Sequence, residues 1–126
     1  MSVLGVGIDV VPASRVEQLL ARHGERALAR LFTPAERERA APLVNAALHL
    51  AARIAAKEAA YKALSGGGAA TGVGWLDLEV ERHADGRPYM VFHGPAEARM
   101  KALGATRCHV SLTHAGGVAA AVVILE

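Results

Sequence analysis

The chain has 126 residues, enough for one domain with a modest core. It is 52% hydrophobic but only 4% aromatic, so its interior must rely on close approach of small residues. No apolar run reaches the ~18 residues of a membrane span, and a formal net charge of +2 is too mild to mark a nucleic-acid-binding surface by itself.

Residues 2–11, SVLGVGIDVV, are apolar on both faces, the pattern of a buried strand interrupted at Asp9. After Pro12, Ser14 can cap a helix that ends at Gly24, and ERALARLF reads as a second, short helix. FTPAERERA carries a start signal for a third, with Thr33 as cap, Pro34 in the first turn and Glu36 completing a capping box. Pro42 breaks it, and a long helix follows from about residue 43 to 64, ended by SGGGAATG. WLDLEVER and PYMVFHG then alternate around HADGRP as a hairpin, and PAEARMKALG is a helix between Pro95 and Gly104. RCHVSLTH and VAAAVVILE close the chain as two strands around AGG. The order β-αααα-ββ-α-ββ implies an α+β fold with a mainly antiparallel sheet, in one domain over residues 1–126. The lone Cys108 excludes an internal disulfide. It suits a reducing compartment, and the N-terminus lacks a basic region and a cleavage signal, so a cytoplasmic protein is expected.

Charge is uneven along the chain. Residues 1–62 hold nine Lys/Arg against six Asp/Glu, while residues 63–126 hold five against six. The excess suits a phosphate-bearing ligand or an acidic protein, and equally ordinary solubilising arginines. On the long helix, at ~100° per residue, Glu58, Lys62 and Ser65 fall within about 60° of one another. Ala52, Ala56, Ala59, Ala60 and Ala63 gather on the other side, ready to pack on a sheet. Glu58 and Lys62 are either an exposed i,i+4 ion pair or part of a site. Asp9 within its apolar strand either pairs or binds a metal, or else ends the strand. With Glu58 it would supply the two carboxylates that Mg²⁺ takes, leaving Lys57 and Lys62 to meet phosphate charge. GVG at 5–7 opens no helix and is no dinucleotide fingerprint; SGGGAATG lacks the Gly-Lys-Ser/Thr of a P-loop. Cys108 and His109 point to opposite faces of a strand and form no zinc site with His114, which is a candidate base or ligand contact.

Taken together, GVGIDVV, LFTPAERERA, ARIAAKEAAYKAL, WLDLEVERHADGRP and HVSLTHAGGVAAAVVILE resemble, in order and nearly end to end, the small bacterial holo-acyl-carrier-protein synthases, which are 4′-phosphopantetheinyl transferases. The helix motif follows the family pattern (G/A)-R-(F/W)-A-A-K-E-A-x-x-K-A. It departs at Ile54, where an aromatic is usual, and Ala115, Gly117 and Val118 replace the acidic and aromatic residues often found after SLTH.

The resemblance implies transfer of phosphopantetheine from coenzyme A to a serine of an acidic acyl carrier protein, releasing adenosine 3′,5′-bisphosphate, for fatty-acid or polyketide synthesis. It implies Mg²⁺ on Asp9 and Glu58, with Lys62 on the phosphates. Arg53 and Lys57 become further phosphate contacts, Arg53 toward the 3′-phosphate. Ser65, Gly66, Gly67, Thr113 and His114 line the coenzyme A site, and Glu58 or a water it orients takes the serine proton. Arg15, Leu19 and Arg22 match the carrier-docking helix. The implied assembly is a homotrimer with sites shared between subunits. A catalytically degenerate trimer that only holds coenzyme A is the alternative.

Overall fold

The structure, a computed structural model, describes residues 2–126. Strand β1 (Gly5–Pro12) leads into helices α1 (Ala13–His23), α2 (Glu25–Leu31), α3 (Pro34–Ala40) and α4 (Ala46–Leu64). A 3₁₀ turn at Trp75–Asp77 precedes β2 (Leu78–Arg82) and β3 (Pro88–Phe92). Then come α5 (Pro95–Leu103), β4 (Cys108–Ala115) and β5 (Val118–Leu125), in the expected order. One antiparallel sheet is ordered β1-β5-β4; β2 and β3 form a separate antiparallel hairpin.

The three-stranded sheet carries α4 across one face, and glycine sets how closely. A Cβ on Gly7 would overlap the carbonyl oxygen of Ala59, and one on Gly5 that of Ala63. Opposite these glycines the helix offers Ala56, Ala59, Ala60 and Ala63, all fully buried. The GVG of the first strand is therefore a packing device, in which backbone meets backbone where side chains would hold the layers apart.

Several boundaries differ from expectation, each for a local reason. Asp9 does not interrupt β1, because its side chain shares the helix-facing side with Gly7 and Val11, and pairing with β5 runs on to Pro12. The strand is not covered on both faces: Val6, Ile8 and Val10 are all more than half exposed. Ser14 does not cap α1. The helix starts at Ala13 directly after Pro12, and the Ala13 N–H is satisfied by the Gly117 carbonyl at 2.8 Å. Residues 41–45 form turns, so α4 starts at Ala46 rather than residue 43. The first part of WLDLEVER is the 3₁₀ turn, held by the Asp77 carboxylate accepting from the Gly74 N–H at 2.8 Å.

The capping box at Thr33 and Glu36 forms as the sequence predicts. Glu36 is also fully buried, and its carboxylate does three jobs. Oε1 accepts from the Thr33 N–H at 2.9 Å and pairs with Lys57 Nζ at 2.7 Å, while Oε2 accepts from the Val80 N–H at 3.0 Å. One carboxylate thus ties α3, α4 and β2 together. The alanine-rich α4 is buried on nearly every side, including at Arg53 and Lys57, and lacks the single wet face that helical periodicity implied.

Candidate active site

Asp9, Glu58 and Lys62 come together where β1 crosses α4. Lys62 Nζ donates to the Ile8 carbonyl at 2.9 Å and lies 3.3 Å from Asp9 Oδ1. Arg15 reaches from α1 to Glu58 Oε1 at 3.0 Å. The Asp9 and Glu58 carboxyls are neighbours, and each alters the other's hold on its proton. Burial and then the neighbouring Asp9 carboxyl raise Glu58 above the usual carboxylate range, with Arg15 opposing. At Asp9, burial pulls upward but is outweighed by the neighbouring Glu58 carboxyl and by the contact with the Lys62 ammonium and its charge, which leave it below its usual value. The pair is thus split into a low and a high carboxyl by their shared surroundings.

Asp9 Oδ2 is buried and has no hydrogen-bond partner. An orphaned carboxylate oxygen beside a second carboxylate is an incomplete polar arrangement. Two hard oxygen donors with room for phosphate and water fit Mg²⁺ better than a softer ion. No cluster of three or more His, Cys, Asp or Glu occurs among the described residues, so the protein would supply only these two carboxylates.

Glu58 and Lys62 open onto a hollow of about 370 Å³, walled by Tyr61, Val73, Trp75 and Leu78. Lys57 also borders it, but its ammonium is spent inward, paired with Glu36 and donating to the Trp75 carbonyl at 2.9 Å. Burial lowers Lys57 against the pull of Glu36. The expectation of Lys57 as a phosphate contact therefore meets a side chain whose charge is already matched inside the core.

Arg53, Thr113 and His114 are brought together elsewhere. They line a second hollow of about 340 Å³ with His49, Arg82 and Ser111, and the two hollows share no lining residue. Arg53 is fully buried, yet its Nε and Nη2 have no partner. Ser65 is committed locally: Oγ donates to the Tyr61 carbonyl at 2.9 Å and accepts from the Ala70 N–H at 3.2 Å, ending α4. Gly66 lies too close to the Leu4 carbonyl for a Cβ, and Gly67 packs beside Leu103 and Arg99. Arg99 clamps this loop through the Leu64 and Gly68 carbonyls, at 2.8 and 2.9 Å.

On α1, Arg15 turns toward Glu58, while Arg22 is exposed. Leu19 sits in a basic hollow of about 650 Å³ with His23, Arg26 and Arg30. Sequence reasoning missed Trp75, Arg99 and His49. Each is a single residue outside any periodic pattern, and only the fold shows what it touches.

A family model described as the 4′-phosphopantetheinyl transferase superfamily matches residues 5–123. The chain belongs to that superfamily. A holo-[acyl-carrier-protein] synthase of Solidesulfovibrio magneticus is 52% identical to this transferase over 122 residues, 97% of each chain. One of Koribacter versatilis is 48% identical over 124 residues, 98% of each. Among solved structures, the holo-[acyl-carrier-protein] synthase of Neisseria meningitidis superposes on the transferase with a TM-score of 0.88, at 26% identity and 99% coverage of both chains. The Helicobacter pylori enzyme in complex with coenzyme A superposes with a TM-score of 0.82, at 26% identity over 96% of this chain and 99% of that one. The α+β architecture inferred from element order is the one these structures share.

Proposed function

We propose that this transferase moves 4′-phosphopantetheine from coenzyme A to a serine of an acyl carrier protein, with Mg²⁺ held by Asp9 and Glu58. The observation that carries the metal assignment is the orphaned Asp9 Oδ2 beside Glu58. When bound, Mg²⁺ would supply charge neutralisation at the pyrophosphate oxygens. Lys62, half exposed at the mouth of the hollow, stabilises the charge that develops on the departing phosphate. Glu58, raised by burial and by Asp9, is the proton acceptor for the attacking serine hydroxyl. The remaining requirement is in-line positioning, since phosphoryl chemistry of this kind asks little covalent help from protein. Arg53, Thr113 and His114 take the 3′-phosphate end, and Gly66 and Gly67 let backbone approach the adenosine. Lys57 supports the wall through Trp75 and does not reach the phosphates.

A single copy splits these groups between two hollows, which supports a homotrimer whose sites lie between neighbours. The outward sheet face fits such an interface. Val6, Ile8 and Val10 on β1 lie opposite Ile124, Val122 and Ala120 on β5, an uncovered apolar strip. Arg15, Leu19 and Arg22, with Arg26 and Arg30 nearby, give the basic face that an acidic carrier would meet. We place the reaction in the cytoplasm, in fatty-acid or polyketide synthesis. No helix of the described residues is long and apolar enough to cross a membrane.

Incubation with coenzyme A, Mg²⁺ and an apo carrier tests the reading by mass spectrometry. A gain of one phosphopantetheine on the carrier is expected. No gain on a panel of fatty-acid and polyketide carriers, with coenzyme A still bound, would instead identify a degenerate coenzyme A-binding domain.

A further inference from the structure

Arg53 is not the only residue lining the second hollow with an unpartnered nitrogen. His49 lies one turn before Arg53 on α4 and lines the same hollow, and its Nε2 is buried without a partner. Only Nη1 of Arg53 finds an acceptor, the His49 carbonyl at 3.5 Å. The charged groups around the His49 ring come from each neighbouring element. Arg53 shares its helix, Arg39 faces it from α3 and Arg82 from β2, while Ser111, Thr113 and His114 close the hollow from β4. Arg39 is answered by Glu81 at 3.0 Å, and Arg82 donates only to the Gly86 carbonyl at 2.6 Å. No carboxylate lines the hollow.

This is a place built for an anion, and its charge state depends on one being there. Burial first, then Arg53, Arg82 and Arg39, push His49 down to about 4, so the ring is neutral at physiological pH. A phosphomonoester brings close to two negative charges at pH 7 (its second pKa is about 6) into a cluster of guanidiniums. That reverses the local potential and favours a protonated ring.

We propose that His49 is a specificity-determining ligand of the phosphomonoester received by Arg53, with Nε2 donating to a phosphate oxygen and the ring taking up one proton from solvent as the dianion arrives. The proposal rests on the reading that this hollow takes the 3′-phosphate of coenzyme A. It makes His49 a discriminator between nucleotides that carry a 3′-phosphate and those that end in a 3′-hydroxyl, because only the former bring the charge that stabilises the imidazolium.

Calorimetric titration of the full-length protein with adenosine 3′,5′-bisphosphate and with adenosine 5′-monophosphate tests it. Each is run at pH 7 in two buffers of different ionisation enthalpy. Wild type is expected to take up about one proton more on binding the bisphosphate than His49→Phe does, by linkage. The variant should also lose about tenfold of the preference for the bisphosphate, the worth of a charge-assisted hydrogen bond. His49→Gln keeps a neutral donor, so it should recover part of the affinity without the proton uptake. If wild type prefers the bisphosphate and His49→Phe keeps both the preference and the uptake, the role of His49 is refuted while the 3′-phosphate reading stands. If wild type binds the two nucleotides equally, the reading of the hollow itself falls.

The nucleotide-free protein supplies a further check with a definite sign. His49 titrates near 6.5 when unfolded and near 4 when folded. Over that window the unfolded chain binds more protons, so stability falls as pH drops from about 6.5 to about 4. His49→Phe should flatten this part of the denaturation profile. An unchanged slope would mean the ring is not held neutral by its surroundings, and the proposed proton switch would have no basis.

Discussion

Lys57 and Glu58 are adjacent in sequence and belong to opposite kinds of charge cluster. Lys57 is sealed: its ammonium is fully buried, 2.7 Å from Glu36, with the Trp75 carbonyl as a further acceptor. Glu58 is open: its carboxylate is about one-quarter exposed, faces another carboxylate and leans on an arginine from a different helix. In the sealed pair nearly every polar atom has a partner. In the open cluster Asp9 Oδ2 has none, and Lys62 is half exposed. The contrast separates the matched pair in the core from the proposed site, which burial or ion pairing alone does not do. Arg53 fits the same rule, because it is as buried as Lys57 but has two donors unmet.

The largest effect should come from breaking the sealed pair on one side. Glu36→Ala leaves a buried ammonium without its counter-charge, and also frees the Thr33 and Val80 N–H groups. Removing one partner of such a pair costs about 3–5 kcal/mol. Chemical denaturation should show a loss of that order. Replacing both partners, Glu36→Leu with Lys57→Met, should recover much of it, because an apolar pair avoids the desolvation of two charges. A double variant no more stable than Glu36→Ala would show that the backbone bonds of Glu36, and not the ion pair, hold this region.

The open cluster should behave in the reverse way. Glu58→Gln keeps shape and hydrogen bonding but cannot accept the serine proton, and it weakens the site for a cation. Carrier modification should fall by about 10²–10⁴-fold, the range for loss of a general base. Stability should change little or rise slightly, since a partly buried carboxyl that repels Asp9 is removed. Activity measured by carrier mass gain, alongside a melting curve, checks both halves. Retained activity would remove Glu58 from the mechanism.

These contrasts also explain what could be read from the sequence. Element order and type were legible because Thr33, Pro34, Pro42, Gly104 and the glycine run mark their boundaries chemically. Asp9 was legible as unusual because a carboxylate in an apolar strand needs a reason. The inward fate of Lys57 and Arg53 was not, because helical periodicity assumes one wet face. Here α4 is enclosed by β1 and β5 on one side and by α1, α3 and β2 around the rest. Gly5 and Gly7 looked like a failed nucleotide motif. Their role depends on α4, more than fifty residues away, and no local pattern encodes that crossing. His49 and Trp75 stand alone in their windows, and only the fold gives them neighbours.

The smallest predicted effect sharpens the boundary of the open cluster. Arg15 and Arg22 look equivalent as a carrier-docking face, but Arg15 bonds Glu58 at 3.0 Å while Arg22 points to solvent. An exposed pair of this kind contributes about 0.2–1 kcal/mol. Arg22→Ala, which breaks no such pair, should raise KM for the carrier alone. Arg15→Ala should raise it too, and in addition raise the pH at which activity switches on, since Arg15 is one of the groups holding Glu58 down. In the double variant Arg15→Ala with Glu58→Gln, that second component should vanish, because its target is gone. Identical pH profiles for Arg15→Ala and Arg22→Ala would show that the Arg15 contact has no hold on the carboxylate, and would return Arg15 to the docking face only.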